Sequence, residues 1–523
     1  MSRFASRYRT KKGALAAAAA VTLLLAAGCS AGTSGSSSSG GAHSTVTVAY
    51  NNTVSTLDPS QANFEQEDLV DETAYDTLVQ YNAQNVLVGS LATQFSLTNG
   101  AKTIDITLRS GVHFHNGALL TAKDIAYTLD RDAKLGTGVA QYIKGYQSTT
   151  VVNDTHLVIQ LSQPNSLFLP GLSIIYILNS ALVQQHLGTN DGQAWLATHD
   201  AGSGPYEFAA NMQPQSGTMT VDRFSGYWNY TSSRPSQVVY RLLEETSAQA
   251  AAVKSGQIDL TTALEPRDAA TLTSDSSLKM LKILTPTMEE VYFNLVSGPT
   301  TNLDLRRAIQ DAFDYSGGLK EIHSGQGVIA NGPLPSSLPC NPGTPQYTQN
   351  LAAAKDLLAK SGYKHVTLTL NYQTYDQTQV EDATLFQSDL KQIGINVQLV
   401  PIQFPDYLSR LSNRSTIPQM MLAEDFSPMP DPGVMLVNYY TATAIGSNRT
   451  GLDDPAVDTL LNSALASTSS SAACNYYKAA EKDIYNTATQ VSLYTLISPF
   501  AYSNWLQGVR YLQGGPWIPD LRV

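Results

Sequence analysis

A strand–helix–strand unit in the second half of the chain limits the architectures open to it. Val366-Thr367-Leu368-Thr369-Leu370 alternates apolar and polar residues with the period of a half-buried strand. Phe386, Leu390 and Ile393 then mark a helical stripe that stops at Gly394, and Ile395 to Val400 alternates again. Two strands separated by one helix lie parallel with the helix as crossover, which defines an α/β domain. Leu351 to Lys360 reads as an Ala/Leu/Lys helix closed by Gly362. Gln419-Met420-Met421-Leu422-Ala423-Glu424-Asp425 is an apolar run ending in acids, the pattern of a buried strand that emerges at a polar edge. Open α/β sheets bind ligands at the carboxyl ends of their strands, so Glu424 and Asp425 are the first candidate ligand contacts.

The first half reads more simply. Thr45 to Tyr50 alternates as a strand, and Leu57-Asp58-Pro59 turns the chain. Leu69 to Val79 carries Val70, Ala74 and Leu78 at helical spacing. In Lys102 to Arg109, Ile104, Ile106 and Leu108 share one strand face. Ser110-Gly111 breaks that strand, Val112 to His115 resumes it and Asn116-Gly117 is a strong turn. Thr121, with Asp124 three residues on, opens a helix whose buried face holds Ile125 and Leu129.

The amino terminus sets the compartment. Arg3, Arg7, Arg9, Lys11 and Lys12 precede an apolar span, Ala14 to Ala27, too short for a stable membrane anchor, as in a cleaved secretory signal. Leu25-Ala26-Ala27-Gly28-Cys29 resembles the lipobox of bacterial lipoproteins, which implies acylation of Cys29; a plain signal with an incidental cysteine is the alternative. The Gly/Ser-rich tract from Ser30 to Ser44 is expected to be a flexible tether. With Cys29 assigned to lipid, Cys340 and Cys474 remain as an even pair in an oxidising compartment; a disulfide or two free buried thiols are the options. The net charge is −11, and since the first 28 residues carry five cations and no acid, the remainder carries −16. Such a balance argues against nucleic acid as a partner, because phosphate binding needs clustered Lys and Arg.

Enzymatic motifs are missing from the sequence. There is no G-x-S-x-G elbow, no H-E-x-x-H and no P-loop, so no catalytic residue, cofactor or metal site is assigned. His113 and His115 have the i, i+2 spacing that puts two imidazoles on one strand face, but a solvated or hydrogen-bonded pair is the expected state.

Leu108 to Gly117, followed by Leu120-Thr121-Ala122-Lys123-Asp124-Ile125 and Leu129-Asp130-Arg131, resembles the signature of family 5 solute-binding proteins, the extracytoplasmic receptors of peptide and nickel ABC importers. Leu57-Asp58-Pro59, Gly202 to Tyr206, Tyr227-Trp228, Ser255 to Asp259 and Leu305 to Ile309 match in the same order. The resemblance implies an α/β, two-lobed periplasmic-binding-protein-like fold (type II) with a ligand cleft between the lobes. It places lobe one at 45–78, 199–288 and 499–523, an extra subdomain at 79–198 and lobe two at 289–498. It implies a monomer held at the extracytoplasmic face by lipid, which gives a captured solute, expected to be a peptide, to permease and ATPase subunits. A nickel complex, an oligosaccharide or, in another class, a secreted hydrolase or a sensory or adhesive surface protein are the alternatives. By the same resemblance Asp425 pairs with a ligand ammonium, a loop acid that caps a turn or pairs with a nearby base being the alternative; Phe404 and Leu422 fall where relatives place aromatics, and Asn63 and Phe64 lie on a loop bordering the cleft.

Overall fold

The computed structural model describes residues 44–62, 65–210, 212–374, 377–444, 446–512 and 514–523. The expected signal segment 1–28, Cys29, the tether up to residue 43, and Asn63 and Phe64 lie outside the described residues. Among those described, no helix is long and apolar enough to cross a membrane.

One lobe is built on a four-stranded sheet. Thr45–Tyr50 runs parallel to Gln237–Leu242, which pairs antiparallel with Thr218–Arg223, and that strand in turn with Tyr206–Phe208. Its apolar face joins Val46, Val48, Val221, Val238 and Tyr240 to Leu506, Ile518 and Leu521 from the end of the chain. Start, middle and end of the sequence therefore share one core.

Inserted in this lobe is an antiparallel sheet in the order Ala92–Thr98, Thr103–Leu108, His156–Leu161, Tyr146–Asn153, backed by the helix Ala122–Leu135. Ile104, Ile106 and Leu108 are buried, as their alternation requires. Asp124 Oδ2 accepts from the Thr121 amide at 2.9 Å, closing the capping box that starts the helix. Arg131, near the end of that helix, donates to both oxygens of Asp58 at 2.9 and 2.6 Å, which pins the Leu57-Asp58-Pro59 turn to the insert.

Two local expectations change. The helix expected across 69–79 is Glu65–Ala74, and Val79 opens a strand, Val79–Tyr81, because Leu78 and Val79 turn into the core of the insert. The strand expected at Val112–His115 shrinks to a bridge between His113 and Leu119 around the Asn116-Gly117 turn. Gly117 adopts φ 84°, open to glycine without strain.

The second lobe holds a six-stranded sheet in the order Gly327–Ile329, Gln490–Ser503, Leu278–Phe293, Met420–Phe426, Val366–Tyr372, Ile395–Pro401. Val366–Tyr372 and Ile395–Pro401 are parallel, joined by the helix Gln377–Gln392 with Phe386 and Leu390 buried, which is the crossover unit read from the sequence. Cys340 and Cys474 form a disulfide with their Cα atoms 5.3 Å apart, tying the loop after Gly327–Ile329 to the helix Ser470–Asn486.

Two long strands, Leu278–Phe293 and Gln490–Ser503, run from one lobe into the other. Toward lobe one, Leu278 to Leu284 pair with Ser503 to Ile497, and Ala501 exchanges hydrogen bonds with Thr261 at 3.0 and 2.9 Å. In the six-stranded sheet, Met288 to Tyr292 pair with Thr495 to Gln490. Between the halves the register shifts at Thr285-Pro286-Thr287, where Pro286 has no amide to give a ladder. The expected lobe limits, 288/289 and 498/499, both fall within these two strands.

Candidate ligand cleft

Met420–Phe426 sits beside Leu278–Phe293, and strand alternation sorts its side chains onto two faces. Met420 and Leu422 join Val291 and Phe293 in the core under the crossover helix. Met421 and Ala423 pack on the other face with Tyr292, Tyr407 and Leu411. Leu422, expected at the ligand, is 1% exposed inside that core, so its position belongs to packing. The physical reason is its place in the row of Met420 and Leu422 that packs against Val291, Phe293 and the crossover helix residues Phe386 and Leu390.

Asp425 is also buried, and both of its oxygens are taken. Arg449 donates from Nη2 to Oδ1 at 2.6 Å and from Nε to Oδ2 at 3.1 Å, while the Tyr292 hydroxyl donates to Oδ2 at 2.9 Å. The guanidinium lies 4.6 Å over the Tyr439 ring and 5.5 Å from that of Tyr407. Burial works against the charge on Arg449, but Asp425 and the surrounding tyrosines hold it protonated, above its usual value. Glu290 reaches the Tyr292 hydroxyl and the Gln490 amide, and Gln490 also receives the Tyr440 hydroxyl. Burial, and then the charge of Asp425, raise the Glu290 carboxyl well above the usual carboxylate range. Asp425 thus anchors a buried polar network with its charge already matched by Arg449, the pairing with a nearby base that stood open beside the ammonium role implied by the resemblance.

Glu424, on the opposite face, is exposed and lines a cavity of about 310 Å³. Lobe one supplies Asn51, Thr262 and Glu265 to its wall; His323, Gln326 and Thr378 come from lobe two and Pro499 from the shared strand. The lobes meet directly beside it. Arg267 pairs with Glu381 at 3.0 Å, and the Gln326 amide donates to the Pro266 carbonyl at 3.4 Å. Phe404 opens the helix Phe404–Leu411 and is 38% exposed, its ring 6.5 Å from that of Tyr407. Hence Glu424 and Phe404 are both accessible.

One edge of Met420–Phe426 bears on ligand capture. Its other neighbour, Val366–Tyr372, pairs with it only at Met420 and Met421. Beyond Met421 the pairing with Val366–Tyr372 does not continue along that edge.

The histidine pair does not offer two nitrogens to a metal. His115 Nδ1 lies 2.8 Å from Asp200 and Nε2 lies 3.1 Å from the Gly204 carbonyl oxygen, so both are engaged. Sequence reasoning missed Arg449, Tyr292, Glu290 and Gln490. An arginine within Ser447-Asn448-Arg449-Thr450 carries no periodic signal, and its burial becomes visible only when the strands are in place.

Two lobes bridged by a strand pair, with a polar cavity walled from both, define a solute-binding protein of the periplasmic type. Residues 86–447 match the bacterial extracellular solute-binding proteins, family 5 (middle), and the chain belongs to that family. The probable D,D-dipeptide-binding periplasmic protein DdpA of Escherichia coli is 26% identical over 453 residues, 84% of this chain and 86% of its own. The glutathione-binding protein GsiB of Pectobacterium atrosepticum is 25% identical over 364 residues, 68% of this chain and 69% of its own. Among solved structures, HbpA2 from Haemophilus parasuis has a TM-score of 0.81 at 20% identity, covering 92% of this chain and 99% of that one. The oligopeptide-binding protein AppA from Bacillus subtilis, in complex with a nonapeptide, has a TM-score of 0.76 at 18% identity, covering 92% and 98%.

Proposed function

We propose that this protein captures a peptide between its lobes and passes it, chemically unaltered, to an ABC import permease. The observation that carries the peptide assignment is the edge of Met420–Phe426 beyond Met421, where its pairing with Val366–Tyr372 ends beside the interlobe cavity. An extended peptide adds to such an edge as a further strand, through main-chain hydrogen bonds that ignore its side chains. The names of DdpA and AppA's nonapeptide complex support the same ligand class. Within this reading Glu424 on the cavity wall is the carboxylate that meets a cationic group of the ligand, while Asp425 acts by holding Arg449 in place. Phe404 and the loop with Asn63 and Phe64 border the ligand.

Capture shifts the open–closed balance about the two shared strands, because ligand touches both lobes only when they are shut. Lobe one is 45–78, 199–288 and 499–523, the subdomain 79–198 and lobe two 289–498. The chain works as a monomer without catalysis, tethered through Cys29 at the extracytoplasmic face.

Calorimetry with short peptides tests the assignment. Peptides differing in side chains should bind within about tenfold of one another, and methylating one backbone nitrogen facing the strand should weaken binding by tenfold or more. Saturable binding of an oligosaccharide or a nickel complex, with no heat from any peptide, would replace this ligand class.

A further inference from the structure

At the cavity wall stands a group of buried side chains to which the proposed function gives no role. His323 Nε2 lies 2.7 Å from Asp382 Oδ2 and 3.2 Å from Glu289 Oε2. The three residues are 3%, 0% and 1% exposed, respectively, for His323, Asp382 and Glu289. They come from three elements: Glu289 from the shared strand just past its register shift, Asp382 from the crossover helix, and His323 from the turn after the helix Tyr315–Glu321. We propose that Glu289, His323 and Asp382 form a binding site for one divalent transition-metal ion of the zinc type, resident in the protein and separate from its cargo.

Three observations carry this. The first is spacing: one donor atom from each residue falls within 4.8 Å of the other two. Donors around an ion with bonds of about 2.1 Å stand roughly 3.0–3.5 Å apart, so the glutamate–imidazole edge fits and the aspartate edge has to open by a few tenths of an ångström. Secondly, one imidazole nitrogen with two carboxylates is a donor set suited to zinc, cobalt or nickel, and two negative charges balance the ion. The third is Tyr494, fully buried with a hydroxyl that has no hydrogen-bond partner among the described residues. Its ring is 4.7 Å from that of His323. A methyl placed on Gly318 would meet the Tyr494 hydroxyl at 2.2 Å and Asp382 Oδ1 at 3.4 Å, so this unpartnered oxygen is aimed at the same group.

The field at this point already favours a cation. Asp382 Oδ2 and Glu289 Oε2 face the same imidazole nitrogen at 2.7 and 3.2 Å, so an ion placed there meets two carboxylates. His323 also lines the interlobe cavity, which supplies an entry path. A bound ion would cross-link the shared strand to the crossover helix, whose Glu381 grips Arg267 of lobe one.

The test uses the full chain, stripped with chelator and dialysed against Zn²⁺ alone, with Co²⁺ as a spectroscopic substitute. One ion per chain is expected, with visible cobalt absorption that zinc displaces. His323→Gln and Asp382→Asn should each weaken uptake by a hundredfold or more. No stoichiometric uptake, or uptake unchanged in both variants, overturns the proposal. Should the variants fail to fold, zinc-edge anomalous scattering from wild-type crystals decides: a peak within bonding distance of His323 Nε2 supports the site, and zinc bound only elsewhere refutes it.

Discussion

Arg449 places two guanidinium nitrogens on the two oxygens of Asp425, at 2.6 and 3.1 Å, with both side chains sealed from water. The carboxylate at the end of Met420–Phe426 is therefore an internal partner before any ligand arrives. Its role is to hold a cation among Tyr407, Tyr439 and Tyr292, at the centre of the network that continues through Glu290 to Gln490.

Removing one member of such a pair strands the other charge. Arg449→Met should lower stability by about 3–5 kcal/mol, and Asp425→Asn by a comparable amount. The double variant should lose clearly less than the sum, because neither charge is then left alone. Urea unfolding of the four proteins measures this, and additive losses would show that the two side chains act independently.

Glu481 gives a pH signature. Burial raises its carboxyl to about 8 from an ordinary 4.5. The folded chain then binds more protons than the unfolded one between these values, so stability falls as pH rises through that window. Glu481→Gln should match wild type near pH 4 and be more stable by up to about 5 kcal/mol at pH 8.5, the size of the shift. Thermal unfolding at the two pH values reads the difference; an equal gain at both would contradict it.

The Cys340–Cys474 disulfide closes a segment with a sequence separation of 134. Replacing both cysteines by alanine should cost about 3–5 kcal/mol, mostly by freeing the unfolded chain. Denaturant midpoints with and without reductant check this. An oxidised wild type that unfolds at the same midpoint as the variant would count against it.

Arg267 and Glu381 face each other between the lobes, and Arg267 is 64% exposed at its side chain. Glu381→Arg should change stability by less than about 1 kcal/mol, as surface pairs contribute little. It should nevertheless weaken ligand binding several-fold, since like charges then oppose closure. Calorimetry beside unfolding separates the effects, and unchanged affinity would remove this pair from the closing movement.

How much of this was legible in sequence follows from range. The alternation of Ile104, Ile106 and Leu108 and the stripe of Phe386 and Leu390 report local periodicity, and the structure carries both. Leu278–Phe293 escaped because its halves serve different lobes and its middle holds Pro286, Glu289 and Glu290, a mixture that resembles no single strand. Asp425 was visible as an acid at a strand end, but Arg449 lies 24 residues away and reaches it only through the fold. Leu422 shows the opposite case: parity along the strand already separates it from Asp425, and the structure puts it in the core.

Small-angle scattering of the purified chain, first stripped of solute and then titrated with a binding peptide, tests the clamp most directly. The stripped protein should populate a more extended shape, and saturating peptide should contract it to the compact form with contact between Arg267 and Glu381. A single unchanged profile across the titration, while calorimetry shows the peptide bound, would contradict closure about the two shared strands.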